Sequence, residues 1–213
     1  MSKLRTGRQK YYNIFSQFYD LFIKLHSHNY AEETRKFLVD SAQLEYKNQP
    51  RVLDICCGTG SVVLAFARHF PDIPAVGYDF SLGMMHQAKE KDLSDKIIFI
   101  NGDAARLPFV NNCFDVVCCS HALYELKNQV RTRALLEMKR VVKPNGLVLI
   151  MEHEVPKKRF IRILFYIRML SMGPKDSREF VKQGIAPFEK IFANVTLSHT
   201  ISGKSKLIIC RKE

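Results

Sequence analysis

The chain contains 213 residues, of which 46% are hydrophobic and 25% are charged, and its formal net charge is +12. This length and apolar content predict one globular unit, and the sequence has no apolar run of the roughly 18 residues that a membrane-spanning helix needs. The first ten residues, MSKLRTGRQK, lack the apolar core of a signal peptide, so we expect a cytoplasmic protein. The excess positive charge is compatible with an anionic substrate, a membrane surface or nucleic acid as partner, and equally with a plain solvated surface.

The six cysteines occur as two adjacent pairs and two single residues, without any Cys-x-x-Cys spacing. Such a distribution suits neither a disulfide framework nor a zinc site. The cysteines stand where small apolar residues of buried strands are expected, which fits a reducing compartment. We therefore predict that the protein binds no metal.

Two helical segments begin the chain, and we predict that residues 1–48 form an N-terminal helical cap. From residue 49 to residue 213, short apolar runs alternate with amphipathic helices, which predicts an α/β fold with a doubly wound, mostly parallel sheet. The last two runs, VTLSHTISG and SKLIICRKE, predict an antiparallel hairpin at the sheet edge and bring the sheet to seven strands. Pro144-Asn145-Gly146 predicts a turn before the fifth strand.

The segment VLDICCGTG predicts a short buried strand that runs into a glycine turn and then a helix. Asp54 closes the strand, and Gly58 and Gly60 keep side chains out of the turn, so that a ligand can approach the backbone closely. The following helix, from Ser61, directs its free N–H groups at that ligand. The chain has neither GxGxxG nor GxxxxGK[ST], and no lysine follows the turn, which indicates a nucleotide-like ligand with little or no phosphate.

Two further acids end the next two strands. Asp79 follows Gly60 by 19 residues, at a position where a carboxylate can accept both ribose hydroxyls. Phe80 and Met84 are placed to sandwich a purine ring. Asp103 can accept a hydrogen bond from an exocyclic amine, and the backbone N–H of Ala104 can meet a ring nitrogen. For Asp79 the alternative is a cap of the helix that starts at Ser81, and for Asp103 it is a turn aspartate. The ordered series of acids favours a binding site.

The segments VLDICCGTG, GYDFSLGMM, GDAARLPF and LEMKRVVKPNG resemble, in that order and spacing, the class I S-adenosylmethionine-dependent methyltransferases with a Rossmann-like sheet. These segments are most similar to the ubiquinone/menaquinone C-methyltransferase branch, and the resemblance covers about residues 10–155. The resemblance implies S-adenosylmethionine as cofactor, with Gly58 and Gly60 at its methionine part, Asp79 at its ribose, and Asp103 and Ala104 at its adenine. Further cofactor-binding residues are predicted as follows: Tyr19, Asp54, Cys56, Thr59, Phe80, Met84 and Ser120.

The chain departs from the family pattern at Cys56, where many members have glycine. Cysteine is small, so we expect slightly altered cofactor contacts without loss of binding. Family members also often carry an aromatic-rich N-terminal helix that ends in a Tyr-Asp pair and covers the cofactor, and Tyr19-Asp20 fits that pattern. An amphipathic helix that simply packs on the sheet is compatible with the same residues.

The loop SHALYE, after the fourth strand, lies beside the transferred methyl group in such folds. His121 is our candidate general base, because histidine titrates near neutral pH. Tyr124 or Glu125 could orient the acceptor, and His153, after the fifth strand, is the second candidate base. The alternative for His121 is packing or a contact with the methionine carboxylate. A single histidine between Glu152 and Glu154 is too little for a metal site, whereas a role in the substrate pocket stays open.

Residues 156–173 form a predicted helical insert or lid with two apolar stripes. The first comprises Phe160, Ile163, Leu164, Ile167 and Leu170; the second comprises Ile161, Phe165, Met169 and Met172. One stripe suffices for packing, so the other must face a substrate, a partner or lipid. Five basic residues in the range 156–172 favour an anionic membrane surface. The alternative is a lid buried on the sheet.

These observations predict a S-adenosylmethionine-dependent methyltransferase that acts on a small molecule, with a lipid-like quinone precursor or a phospholipid amine as leading substrate class. We expect it in the cytoplasm, peripherally bound to the membrane. A nucleic-acid methyltransferase is the alternative, but the chain lacks the Asn/Asp-Pro-Pro-Tyr signature. A non-catalytic cofactor-binding partner protein is the third hypothesis. The acceptor atom and the oligomeric state stay open.

Overall fold

The computed structural model describes residues 3–27, 30–46, 48–172 and 176–213. Within these ranges the helices are α1 (Lys3–Ser27), α2 (Tyr30–Asp40), α3 (Ser61–His69), α4 (Leu82–Lys91), α5 (Asn128–Val141), α6 (Arg159–Met172), α7 (Ser177–Lys182) and α8 (Ala186–Glu189). The strands are β1 (Val52–Ile55), β2 (Ala75–Asp79), β3 (Ile97–Asn101), β4 (Phe114–Ser120), β5 (Val142–His153), β6 (Asn194–His199) and β7 (Ser205–Arg211). A short 3-10 turn, Leu123–Glu125, follows β4.

The described strands form one mixed sheet in the order β3-β2-β1-β4-β5-β7-β6. Strands β1 to β5 pair in parallel, whereas β7 runs antiparallel to β5 and β6 antiparallel to β7. The chain moves outward from β1 to β3 and then returns to β4 on the other side of β1. This reversal opens a crevice at the carboxyl ends of β1 and β4, which is where ligands bind in open α/β sheets. The predicted α/β class, strand number and antiparallel edge hairpin are confirmed.

Pro144-Asn145-Gly146 interrupts a strand pairing and does not precede the fifth strand. Phe114 pairs with Val142 and Val116 with Leu147, so two steps along β4 match five steps along β5. The additional residues of β5 leave the ladder as a bulge, which suits a proline that cannot donate a hydrogen bond. The prediction of a turn before the strand was therefore wrong in position, because β5 already begins at Val142.

The described core divides between the two faces of the sheet. On one face, Leu53 and Ile150 pack with residues of α5, α7 and α8. On the other, Val52 and Leu149 pack with residues of α2 and α3. Neighbouring strand residues are thus buried on opposite faces, as expected for a parallel sheet that is covered on both sides. The six cysteines, all within the described ranges, are free thiols, and most of them are buried.

None of the described helices has the length and apolarity to cross a bilayer. Helix α1 packs on α4 at Gly83, where an added Cβ would lie 2.6 Å from the backbone oxygen of Asn13. A side chain at Gly83 would therefore push the two helices apart. The division of the chain into a cap of residues 1–48 and a sheet domain of residues 49–213 stays a prediction.

Candidate active site

The glycine turn after β1 supplies an open backbone surface at the crevice. Cys56, Gly58 and Gly60 all have positive φ angles, of 57°, 54° and 78°. At Gly60 an added Cβ would lie 2.9 Å from the Cβ of Ala88, so close packing of the turn on α4 requires glycine there. At Gly58 no described atom lies within 4 Å of that position. A ligand can therefore approach the backbone at Gly58, whereas Cys56 holds a left-handed conformation that costs an L-residue about 1–2 kcal/mol.

Asp54 points into the core beneath this turn. Its carboxylate accepts a hydrogen bond from the backbone N–H of Val63 at 3.2 Å and another from the thiol of Cys118 at 3.5 Å. Burial raises the pKa of Asp54 to about 7, although both hydrogen bonds lower it. The side chain thus ties β1 to α3 and β4. A contact between Asp54 and the cofactor stays a prediction.

Asp79 links the glycine turn to the start of α4. One carboxylate oxygen accepts from the backbone N–H of Gly58 at 3.0 Å, and the other accepts from the N–H of Ser81 at 2.8 Å. Burial raises the pKa of Asp79 to about 6, against the effect of these two N–H groups. Each oxygen of a carboxylate has more than one lone pair, so both can still accept a hydroxyl. An open backbone beside such a carboxylate, without a phosphate-binding lysine, fits a nucleoside-like ligand that carries no phosphate.

The predicted purine contacts occupy different environments. Met84 is only 2% exposed and lies within α4, whose first turn is capped by the Ser81 hydroxyl. Phe80 is half-buried, and its ring meets the edge of Tyr12 with 5.9 Å between centroids. A contact of Met84 with a purine needs some opening of the packing around α4, whereas Phe80 already borders the crevice. Both roles stay predictions.

Asp103 and Ala104 form the turn after β3. The carboxylate of Asp103 accepts from the backbone N–H of Ala105 at 2.9 Å, which makes a tight local turn. The hydroxyl of Tyr78 donates to the backbone oxygen of Asp103 at 3.5 Å. Ala104 is buried in the core cluster of the α5 face. The turn therefore presents its carboxylate at the carboxyl edge of β3, and the adenine contact stays a prediction.

Helix α1 lies across the carboxyl ends of the strands and contacts the glycine turn through Asp20. The Thr59 hydroxyl donates to one oxygen of Asp20 at 2.6 Å, and Lys91 of α4 pairs with the other oxygen at 2.6 Å. Tyr19 meets Phe15 edge-on with 5.9 Å between ring centroids. The Tyr-Asp pair thus lies on the helix that covers the crevice, while a contact of Tyr19 with the cofactor stays a prediction.

Three further contacts of α1 were missed by sequence reasoning. The amide oxygen of Asn13 accepts from the Ser81 hydroxyl at 2.7 Å and from the N–H of Gly83 at 3.1 Å. Gln9 donates to the backbone oxygen of Phe80 at 2.6 Å. No pattern in the sequence marks these polar residues, because they recognise backbone groups far away in the chain.

The third contact joins α1 to the loop after β4. Arg8 pairs with the carboxylate of Glu125 at 2.6 Å and also donates to its backbone oxygen at 2.7 Å. The hydroxyl of Tyr12 hydrogen-bonds the same carboxylate. Burial raises the pKa of Glu125, whereas Tyr12 and Arg8 lower it. Glu125, which the sequence suggested as an acceptor contact, is therefore engaged with α1.

The loop after β4 brings the three predicted catalytic residues together. His121 has a φ of 52°; its Nδ1 lies 3.0 Å from the Ser120 hydroxyl, and its Nε2 lies 3.2 Å from the Ser205 hydroxyl. The rings of His121 and His153 are 4.2 Å apart between centroids. The ring centroids of Tyr124 and His153 are 5.8 Å apart. Residues from β4, β5 and the adjoining loop thus form one cluster at the carboxyl end of β4, the strand next to β1.

Helix α6 borders this cluster through Phe165, whose ring centroid is 6.2 Å from that of His153. Phe165 and Tyr166 pack against the core, whereas Phe160, Ile163 and Ile167 are exposed. The second predicted stripe thus packs inward at Phe165, although its Ile161 is exposed. The described residues of the first stripe are all exposed, which rules out a lid fully buried on the sheet. The side chains of Met169, Leu170 and Met172 lie outside those described.

No cluster of three or more His, Cys, Asp or Glu side chains in the described part of the chain has an arrangement for holding a metal ion.

One acidic residue near the histidines differs from the other acids of the site in its hydrogen bonding. Glu152 of β5 is 3% exposed, and neither of its carboxylate oxygens has a hydrogen-bond partner among the described residues.

Comparisons with known proteins agree with this geometry. Residues 52–146 match a family model described as a methyltransferase domain. The demethylmenaquinone methyltransferase of Bacillus licheniformis is 29% identical over 184 residues, which cover 84% of this chain and 78% of the relative. The same enzyme of Staphylococcus aureus is 33% identical over 134 residues, but the alignment covers only 62% of this chain and 55% of the relative. The structure of human N-acetylserotonin methyltransferase with S-adenosylmethionine superposes with a TM-score of 0.67 at 15% identity, over 95% of this chain and 56% of that one.

The family match over β1 to the bulge of β5, together with these relatives, supports a class I S-adenosylmethionine-dependent methyltransferase. Within this class the chain is related to the menaquinone branch. S-adenosylmethionine is its cofactor, and when bound it supplies an activated methyl group on a sulfonium sulfur.

Proposed function

We propose that this methyltransferase methylates a ring carbon of a lipid-like quinol, of the kind named in its demethylmenaquinone methyltransferase relatives. The observation that carries the proposal is the cluster of His121, Tyr124, His153 and Phe165, which lies at the carboxyl end of β4, the strand next to β1, and under a helix with an exposed apolar side. Aromatic and imidazole rings suit a flat aromatic acceptor. A phospholipid amine is less well supported, because no relative described above is named for one.

In this proposal one half of the crevice binds the cofactor and the other half binds the acceptor. Gly58, Thr59, Gly60 and Cys56 hold the methionine part of the cofactor, Asp79 accepts the ribose hydroxyls, and Asp103 with Ala104 meets the adenine. Phe80, Met84, Tyr19, Asp54 and Ser120 complete the cofactor site, directly or by positioning. The protein's contribution is to hold the acceptor carbon in line with the transferred methyl group at about 3–3.5 Å and to exclude water.

His121 is the proposed general base. A quinol becomes a good carbon nucleophile when a ring hydroxyl loses its proton, so a base beside that hydroxyl accelerates the reaction. The hydroxyl groups of Ser120 and Ser205 fix the orientation of the His121 ring from both nitrogens.

The assay that tests this function uses a short-chain demethylmenaquinol in detergent micelles, with S-adenosylmethionine and mass spectrometry of the product. We expect one added methyl group on a ring carbon and S-adenosylhomocysteine in equal amount. A catechol and a phosphatidylethanolamine vesicle are parallel acceptors. Turnover of either of these without turnover of the quinol would contradict the proposal.

We further propose that the enzyme is cytoplasmic and reaches its acceptor at an anionic membrane surface through α6. Phe160, Ile163 and Ile167 are exposed there, and Lys158 and Arg162 lie in the same segment and are exposed too. Apolar residues beside basic ones bind anionic bilayers, with about 1 kcal/mol from each basic residue near the surface.

Co-sedimentation with vesicles tests this surface. The wild type should pellet with vesicles of phosphatidylcholine and phosphatidylglycerol, and less with phosphatidylcholine alone or at high salt. Ile163→Glu should abolish pelleting, whereas Leu136→Glu on α5 is the matched control, since the two side chains are 52% and 51% exposed. Equal loss in both variants, or no pelleting of the wild type, would contradict a role of α6.

A further inference from the structure

Glu152 is a buried acid whose hydrogen-bonding capacity is unmet. It lies near the end of β5, and both carboxylate oxygens lack a partner of normal geometry among the described residues. A buried polar group without a partner lowers stability, and native proteins retain few such groups. Those that persist are concentrated at functional sites, where a ligand can supply the missing partner.

The strand register places Glu152 at the crevice. Cys119 pairs with Ile150 and Ser120 with Met151, and the backbone N–H of His121 donates to the oxygen of Met151 at 2.7 Å. Glu152 is the next residue of β5, and it therefore lies beside the start of the loop that contains His121. Side chains alternate along a strand, so Glu152 projects to the sheet face on which Ile150 packs, and Tyr124 belongs to the same core cluster.

The charged groups that face Glu152 come from three elements. Lys206 of β7 is its direct cross-strand partner, Arg131 approaches from α5, and Glu125 from the loop after β4. Arg131 is already engaged, because it pairs with Asp176 at 3.2 Å and lies 4.0 Å from the centre of the Phe180 ring. No described cation forms an ion pair with Glu152.

We propose that Glu152 is an acceptor-binding residue, whose carboxyl group hydrogen-bonds an oxygen of the quinol ring. The inference rests on the proposed function, since it assigns a partner to the acceptor within the same crevice. The register next to His121 and the unmet oxygens carry it. The Tyr124 backbone N–H approaches the carboxylate, but no described residue meets it with normal hydrogen-bond geometry, so a purely structural role leaves both oxygens poorly satisfied.

The protonation state of Glu152 suits a hydrogen bond to an acceptor oxygen that becomes negatively charged. Burial raises the pKa of Glu152 to about 8, and Glu125 also raises it, while Lys206, Arg131 and the Tyr124 backbone N–H lower it. Near neutral pH the group is therefore largely an uncharged acid, which can donate a hydrogen bond to a phenolate oxygen. Above about pH 8 it ionises and repels that oxygen. Acceptor binding should consequently weaken as the pH rises through this range.

Two substitutions separate these roles. Glu152→Leu removes the hydrogen bond and should raise the KM for the quinol at least about tenfold, with the affinity for S-adenosylhomocysteine unchanged. Glu152→Gln keeps the shape and a donor, so its KM should stay within about threefold of the wild type near pH 7. The wild-type KM should rise above about pH 8, whereas that of Glu152→Gln should not. Glu154→Gln, a neighbouring acid paired with His199, is the matched control.

Infrared spectroscopy gives a readout that needs no turnover. The wild type should show a protonated-carboxyl band near neutral pH that is absent in Glu152→Gln and shifts when 1,4-dihydroxynaphthalene binds without oxygen. If Glu152→Leu fails to fold, this band and the pH profile of Glu152→Gln still test whether Glu152 binds the acceptor. A wild type that methylates the quinol while the Leu variant keeps its KM, or while the Gln variant follows the wild-type pH profile, overturns the inference alone. A wild type that methylates no quinol overturns the proposed function and the inference together.

Discussion

The crevice has two halves that differ in how their acids are satisfied. In the half built by β1, β2 and β3, the carboxylates of Asp54, Asp79 and Asp103 each accept hydrogen bonds from nearby N–H or thiol groups. In the half built by β4, β5 and β7, Glu152 has no such partner among the described residues, and His121 lies against His153. The first half is fixed before any ligand binds, whereas the second keeps polar capacity for the acceptor. We infer that the first half, proposed to hold the cofactor, is preorganised, and that the second half, proposed to bind the acceptor, decides specificity.

The largest effect is expected in the acceptor half, from His121→Ala. If His121 is the base, kcat should fall by about 10²–10⁴, while cofactor affinity should stay nearly unchanged because the cofactor half is intact. Steady-state kinetics between about pH 6 and pH 9 measure this, and His86→Ala, on the exposed side of α4, is the control. Full activity over that range would remove His121 from the mechanism and weaken the contrast between the halves.

A large effect is also expected in the cofactor half, from Asp79→Ala. This change removes the acceptor for the N–H groups of Gly58 and Ser81 together with the proposed ribose contact. Hydrogen bonds to a charged group contribute about 1.5–3 kcal/mol each, so affinity should fall roughly 100-fold. Calorimetry with S-adenosylhomocysteine measures it, with the exposed Asp72→Ala as control. Unchanged binding would refute the ribose assignment.

A smaller effect concerns pH and stability. The pKa of Glu152 is about 8 in the folded protein, above the ordinary 4.5, so the folded state holds this proton more tightly than the unfolded state. Stability from this group is complete below about pH 4.5 and is lost as the pH rises through about 8. Glu152→Gln should therefore gain stability relative to the wild type by at least about 1 kcal/mol between pH 5 and pH 8. Asp54 and Asp79 change in the same direction but are present in both proteins.

Urea unfolding at the two pH values, without cofactor, measures this difference. An equal gap between the two proteins at both pH values would mean that Glu152 is ionised in the fold, and the contrast between satisfied and unsatisfied acids would then need another explanation.

The smallest effect is expected from Arg8→Ala, which loosens α1 from the loop after β4. The Arg8–Glu125 pair is partly buried and one of several α1 contacts, so cofactor affinity should fall only about threefold to tenfold. Lys36→Ala, which removes an exposed ion pair within α2, should leave it unchanged. An equal loss of binding in both variants would show that α1 does not secure the crevice at this point.

Much of the fold was predictable, because apolar runs that alternate with helices predict a doubly wound, mostly parallel sheet, although they do not determine its strand order. The glycine turn and Asp79 were predictable for the same local reason, since each lies at the carboxyl end of a strand. The inward direction of Asp54 was not, because it depends on which helix covers each face of β1. Sequence reasoning left open which stripe of α6 is exposed, as both are apolar. The sequence left a substrate-pocket role open for the segment around Glu152, and alternation in GLVLIMEH assigns Glu152 to the face of Ile150.

Helix α1 also has a consequence for the order in which contacts form. It precedes in the chain every crevice residue that it contacts, and the Arg8–Glu125 pair spans 117 positions. Such a contact carries a high loop-closure entropy and depends on β4 already being in the sheet. Helix α1 can also detach without breaking any strand pairing. Its amides on the crevice side should exchange with solvent by local opening, at a lower free energy than those of β1 and β4, so the cover of the cofactor site is its least stable part.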